Sequence, residues 1–215
     1  MLKLQQSINA IIYYNRLDRG SSVKIGVNMD NYIINSERLY FTKIKNEDIE
    51  QMYTWFRDSE FLKFYDYLPP MPQSKEEVDK AFNYYETNEG SDVFAVKLIS
   101  DDKVVGIAGF DDIVKDNKVA TMFIGIGDKS LRGKGYGKEA LNLLLLYGLK
   151  ELNFHRIQLN VLQFNHTAIS MYEKAGFVKE GTFREFVLRD GERYDLYLYG
   201  LLKHEWEQKN KKCPI

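Results

Sequence analysis

Arg132-Gly133-Lys134-Gly135-Tyr136-Gly137-Lys138 is the stretch on which the reading of this chain turns. Glycines alternate with larger residues, between an apolar β-rich run ending near Gly127 and a leucine-rich segment from Tyr136 to Leu152. Glycine lets a backbone approach a ligand closely and turn successive N–H groups the same way. A helix opening at Tyr136 adds the partial positive charge of its N-terminus, and Arg132, Lys134 and Lys138 add full charges. That combination suits a pyrophosphate; the plain alternative is a solvated turn with a basic rim. In the following helix Ala140, Leu141, Leu143, Leu144, Leu145 and Leu149 cover nearly the whole circumference, which predicts burial against a sheet.

Two familiar phosphate motifs fail here. A P-loop places glycine and a hydroxyl where this chain has Arg132 and Glu139. A dinucleotide fingerprint needs glycine in place of Lys138 and an acidic residue closing the next strand. The segments upstream also disagree with repeating βαβ units. Leu39, Phe41 and Ile44 predict a strand, and Asn46 a helix cap ahead of Ile49, Met52, Tyr53 and Phe56 at helical spacing. Pro69, Pro70 and Pro72 break the chain, and Ser74 with Glu77 fits a capping box. Val93 to Ile99, Val104 to Val114 and Val119 to Ile126 then form a meander, turned at Asp101-Asp102 and Asp116-Asn117.

Downstream, Arg156 to Leu162 alternates as a strand. Asn165 caps a short helix whose stripe is Ala168, Ile169, Tyr172 and Ala175, ended by Gly176. Two strands, Phe177 to Leu188 and Tyr194 to Leu202, close the pattern around Arg189-Asp190-Gly191. The class expected is α+β, in a single domain.

Composition bounds the function. The 215 residues carry 30 basic and 31 acidic side chains, so the net charge of −1 argues against a dedicated nucleic-acid binder. Apolar residues at 44 % and aromatics at 14 % are enough for a real core. Cys213 is the only cysteine, which excludes an intrachain disulfide and favours a reducing compartment. His155, His166 and His204 are too far apart for a local ligand pair, so no metal is expected. The longest apolar stretch, Leu143 to Leu149, is far short of the roughly 20 residues that cross a bilayer. Asn9 interrupts the apolar residues near the start and no cleavage site follows, so no secretory signal is expected. A cytoplasmic protein without nucleic-acid or membrane partners is the expectation. Residues 1–36 show no sustained period, and Met29 leaves two readings: a flexible extension, or residues upstream of the true start.

Arg/Gln-x-x-Gly-x-Gly, following a strand and opening a helix, is matched by Arg132, Gly135 and Gly137. Here the chain resembles the GCN5-related N-acetyltransferases. A second signature, Asn165-His-Thr-Ala168-Ile169-Ser-Met-Tyr172-Glu-Lys-Ala-Gly176-Phe177, follows in the right order. The resemblance spans about Arg38 to Trp206, and the closing strands look most like the ribosomal-protein and spermidine acetyltransferase branch. It implies a domain at 37–208 with a 209–215 tail. Its sheet would be mixed and largely antiparallel, flanked by helices and splayed between the strand ending at Gly127 and that at Arg156 to Leu162. It implies acetyl-CoA as co-substrate, with pantetheine on the backbone of Gly125, Ile126 and Gly127. Pyrophosphate would rest on Arg132 and on amides of Gly133, Lys134, Gly135, Tyr136, Gly137 and Lys138, and Asn165 would touch the pantetheine arm. Tyr172 would protonate the departing thiolate; the alternative is a core tyrosine. A homodimer is admissible.

The departure from the family concerns the base. Many relatives carry glutamate where this chain has Thr121 and Met122. Asp111 and Asp112 are candidates acting through water, although paired aspartates beside a turn are commonly just solvated. The acceptor, whether a protein N-terminus, a polyamine or another small amine such as an antibiotic, is not specified. Phe64, Tyr65, Asp66 and Tyr67 form an aromatic, mildly acidic lip that suits a cation or ordinary packing. Two rival readings remain: a catalytically weak sensor that binds acyl-CoA, and an interaction domain without ligand, against which the glycine loop speaks.

Overall fold

A computed structural model of the chain describes residues 32–212. The expectations for residues 1–28, most of the 1–36 extension, and Cys213 lie outside the described residues. The meander forms nearly as its alternation predicts: β3 (Asp92–Leu98), β4 (Val104–Val114) and β5 (Val119–Ile126) pair antiparallel in sequence order. β2 (Leu39–Lys43) adds to β3, and a two-residue β1 (Ile34–Asn35) adds to β2. Beyond β5 lie β6 (Arg156–Leu162), β7 (Val178–Arg189) and β8 (Glu192–Leu202), in the overall order β1-β2-β3-β4-β5-β6-β8-β7. The one parallel pairing, β5 with β6, lasts only from Val119↔Arg156 to Thr121↔Gln158. Past Thr121 the two strands part, while β6 stays in register with β8 from Arg156 to Leu162.

Helices cover both faces. α1 (Asn46–Phe56), α2 (Ser59–Tyr65) and α3 (Lys75–Thr87) bury Met52, Trp55, Phe61 and Phe82 against Val93, Ala95 and Ile107. α4 (Tyr136–Leu146) and α5 (His166–Ala175) fill the opposite face with Phe41, Phe94, Phe110, Ile157 and Tyr172. α6 (Lys203–Lys212) follows β8, and its Trp206 packs on this second core. No helix among the described residues is long and apolar enough to cross a membrane.

Local departures from the expected pattern have identifiable causes. Lys45, not Asn46, caps α1, because Asp48 Oδ2 accepts the Lys45 amide at 3.0 Å while Asp48 Oδ1 pairs with Lys97 Nζ at 2.6 Å. Both partners are buried, so this ion pair fixes where the helix starts more firmly than a surface cap would. α2 and α6 were not foreseen; α2 is a seven-residue helix capped by Asp58, too short to show a period. The helix expected through Leu152 changes at Tyr147 to a π-helical turn, Tyr147–Glu151, with Leu152 N–H donating to Tyr147 O at 3.0 Å. Gly148 faces Phe110 there, and a Cβ on it would lie 2.5 Å from the ring.

Candidate active site

The alternation of β5 decides what the gap between β5 and β6 offers. Gly127 N–H donates to Val105 O at 2.9 Å, so odd-numbered residues of the strand turn their backbone toward β4. Lys118 O accepts His155 N–H at 2.7 Å, so even-numbered residues turn theirs toward β6. Ile124 and Ile126 therefore present backbone groups that are unpaired among the described residues, where β6 has moved away. Of the expected pantetheine partners, Ile126 has this orientation, whereas the backbones of Gly125 and Gly127 face β4. Those glycines supply room instead: a Cβ at Gly125 would lie 2.8 Å from the Tyr65 ring, and one at Gly127 would overlap the Trp55 indole.

At the mouth of the gap a 3-10 turn, Lys129–Leu131, is capped by Asp128, whose Oδ1 accepts Ser130 N–H at 2.9 Å. Lys103 sits 2.6 Å from Asp128 Oδ2 and, with the Ser130 hydroxyl, holds that carboxyl down to about 2. Gly133 and Gly135 take φ of +73° and +85°, the left-handed region that glycine enters without cost. Gly135 caps α4, and its carbonyl accepts Glu139 N–H at 3.1 Å. The amides of Tyr136, Gly137 and Lys138 lie in the first turn, where no intrahelical acceptor exists. Free first-turn amides beside a left-handed glycine cap have the geometry that suits an anion.

The cations around those amides are arranged differently. Arg132 Nη1 is held by Glu60 Oε1 at 2.9 Å, and Lys129 bridges Asp58 and Glu60 at 3.0 and 2.8 Å. Lys134 and Lys138 form no ion pair among the described residues. Arg38, which sequence reasoning missed, lies 4.1 Å over the Tyr136 ring, donates from Nε to Glu139 at 2.7 Å and from Nη1 to Lys134 O at 3.2 Å. Glu139 also accepts from Ser36 Oγ at 2.7 Å and is kept ionised below its ordinary range by these bonds despite partial burial. The loop is therefore tied to Arg38, just ahead of β2, from one side and to α2 from the other.

Asn165 caps α5 through Oδ1 to Ala168 N–H at 3.2 Å, and its Nδ2 reaches Phe64 O at 3.4 Å. Tyr172 is 7 % exposed, sits edge-on to Phe177, and its hydroxyl has no hydrogen-bond partner among the described residues. Burial pushes its phenol well up, so it stays protonated, the form a proton donor needs. Of the two β5 residues at the family's base position, Met122 points into the core at 3 % exposure and Thr121 faces the α1–α3 side. Thr121 Oγ1 accepts from Gln158 Nε2 at 3.3 Å, and Phe123 stacks on Tyr85 at 5.8 Å. Asp111 lies across from Thr121 on β4, its Oδ1 accepting Ser91 Oγ at 2.6 Å. A second residue missed from sequence is Arg189, 4 % exposed, whose Nη2 donates to Asp66 O at 2.9 Å and also to Leu68 O, fixing the lip after α2. No group of three or more metal-ligating side chains occurs among the described residues.

A family model described as an acetyltransferase (GNAT) domain matches residues 38–178. The chain is 28 % identical over 173 residues to the uncharacterized N-acetyltransferase p20 of Bacillus licheniformis, covering 80 % of this chain and 96 % of that protein. It is 31 % identical over 106 residues to the [ribosomal protein uS5]-alanine N-acetyltransferase of Escherichia coli, covering 48 % of this chain and 54 % of that one. Among solved structures, spermidine N-acetyltransferase from Vibrio cholerae, in complex with CoA and spermine, shares the fold at a TM-score of 0.72 and 22 % identity, covering 79 % and 98 % of the two chains. A GNAT-family acetyltransferase from Bacillus anthracis superposes at a TM-score of 0.67 with 27 % identity, covering 80 % and 98 %. The family model covers well over half of the chain, and the chain belongs to the GNAT acetyltransferase family.

Proposed function

We propose that this protein transfers the acetyl group of acetyl-CoA to a primary amine. The observation that carries the reading is the parting of β5 from β6 past Thr121, with the free first-turn amides of α4 at its open end. A coenzyme whose pyrophosphate rests on the amides of Tyr136, Gly137 and Lys138 sends its arm down that gap, where Ile126 and Ile124 offer unpaired backbone groups. The thioester supplies the activated acyl group. A backbone N–H in the gap is suited to the oxyanion, and Tyr172 to the thiolate that leaves. The curated relatives named above carry N-acetyltransferase in their names, which supports the reaction class and leaves the acceptor to chemistry.

Release of free thiol from acetyl-CoA, followed over primary amines that include an alanine-terminated peptide, a linear diamine and an arylalkylamine, tests the reading. Turnover dependent on one of these amines is expected. Tight coenzyme binding with no turnover on any of them would instead establish an acyl-CoA sensor, the reading favoured by Thr121 and Met122 where a glutamate base is common.

A further inference from the structure

Acetyl transfer begins from an ammonium, because an alkylamine with a pKa of about 10.4 is almost wholly protonated at neutral pH. Some group in the cleft must remove that proton, and neither residue at the family position can. The described carboxylates around the apex of the gap narrow to a few. Asp66 accepts Leu68 N–H at 3.1 Å in a loop that Arg189 clamps, and the Asp112 side chain is exposed. Asp111 is different. It is the cross-strand partner of Thr121, the last β5 residue paired with β6, so it stands where the gap closes.

The backbone there is built to aim it. The register of β4 and β5 breaks between Asp111 and Val114, and Asp112 takes φ +49°. A bulge of this kind redirects a side chain, here at the end of a strand otherwise regular from Gly106. Ser91 Oγ at 2.6 Å and the Asp112 amide at 3.0 Å both hold Oδ1. Oδ2 has no partner among the described residues, and no lysine or arginine pairs with Asp111 there. The titratable groups around it are Tyr65 of α2, Asp66 beyond that helix, Tyr85 of α3 and neighbouring Asp112. Burial, with Asp111 and Asp66 nearby, pushes the Tyr85 phenol up to about 12, so both tyrosines stay neutral and wall the approach with aromatic faces. Such faces attract a cation.

We propose that Asp111 is the proton acceptor for the amine, acting through water from the closed end of the gap; this rests on the acetyl-transfer reading above. One ammonium proton passes to the Asp111 carboxylate, leaving a neutral amine. The nitrogen lone pair forms the C–N bond, the C–S bond breaks, and the thiolate takes the Tyr172 proton. The second nitrogen proton restores the phenol, and Asp111 releases its own to solvent, so the net products are amide, free thiol and one proton.

Asp111→Asn keeps the shape and the Ser91 contact and removes the base. With the amine that wild type uses best, we expect transfer at pH 7 to fall roughly 10²–10⁴-fold, with acetyl-CoA affinity unchanged. The deficit narrows as pH rises toward the amine's own pKa, because the acceptor then arrives neutral. Ser91→Ala retains the carboxylate but loses its tether, and costs roughly tenfold with the same pH trend. Asp116→Asn, which removes a charge in the exposed turn between β4 and β5, leaves the rate unchanged. A rate within about twofold of wild type for Asp111→Asn, or a deficit that stays constant with pH, overturns the assignment, since acid–base catalysis is worth far more. Wild type that binds coenzyme but acetylates none of the amines overturns the transfer reading, a separate outcome.

Discussion

Tyr172 has a ring that packs and a hydroxyl that makes no hydrogen bond among the described residues, and Tyr172→Phe separates the two. The ring's contacts with Phe177 and the surrounding core are kept, and no bond is lost, so stability should move by less than about 1 kcal/mol. If the hydroxyl protonates the thiolate, the chemical step should slow roughly 10²–10⁴-fold with acetyl-CoA affinity intact. Single-turnover quenching measures this without interference from product release, and a chemical step within about twofold of wild type would remove Tyr172 from the mechanism. The glycines separate in the same way. Gly135 stands at φ +85°, so Gly135→Val strains the cap of α4 as well as crowding the ligand. Gly137 has no such φ, and a Cβ there meets only Met171 Sδ at 3.8 Å and Ile126 Cγ1 at 3.9 Å. Gly137→Ala should therefore fold at least as well as wild type, helped by the helix preference of alanine. Its calorimetric affinity for coenzyme A should still drop at least about tenfold, because the methyl stands where pyrophosphate must approach the amides. Unchanged affinity would remove the loop from the binding site. The turn glycines were legible from the sequence because their requirement is local. The 3.6-residue stripe of Tyr172 reads as core, so only the family resemblance singles out its hydroxyl.

At the scale of elements, α2 is the piece that sequence periodicity could not supply, and it carries an interlock. Its N-terminal Asp58 and Glu60 take up Lys129 and Arg132, the cations that flank the loop, across about seventy residues of sequence. No spacing rule links residues so far apart, so Arg132 read as a free phosphate ligand until the fold placed Glu60 beside it. The same limit hid the ties of Arg38 to Glu139 and of Arg189 to the lip. β3 to β6, by contrast, were legible almost to the residue, because alternation and short turns are local properties. The interlock has a consequence. A bound pyrophosphate competes with Glu60 for Arg132, so Glu60→Gln should tighten coenzyme binding. Exposed ion pairs are weak, and the gain should be only about two- to fivefold in low salt, vanishing as salt screens the pair. Titration calorimetry at two ionic strengths reads both effects. Weaker binding in Glu60→Gln would mean that the pair organises Arg132 for the ligand and does not compete with it.

At the scale of the molecule, the described residues form two large hydrophobic cores on opposite faces of one sheet and a smaller cluster of Leu162, Val187 and Leu196. The β5–β6 gap is the place where that sheet is not continuous. Past Thr121, β5 is hydrogen-bonded on the β4 side alone, with Phe61, Tyr65 and Trp55 packed beneath Gly125 and Gly127. A ligand lying in the gap and anchored on α4 replaces the missing strand contacts, so it binds the folded state and has nothing equivalent in the unfolded chain. Linkage then fixes the size of the effect. At a free ligand concentration about 100 times the dissociation constant, the native state gains about 2.7 kcal/mol. For a domain of this length each kcal/mol raises Tm by roughly 2–4 °C, so coenzyme A should raise it by roughly 5–11 °C. Gly137→Ala should show a much smaller shift at the same concentration, which ties the effect to the loop. Hydrogen exchange locates it: the amides of Ile124 and Ile126, turned into the gap without partners among the described residues, should exchange fast in the free protein and slow on ligand addition. If those two amides are unaffected while Tm rises, the coenzyme binds elsewhere on the molecule; if they slow in step with saturation, the opening in the sheet is where it lies.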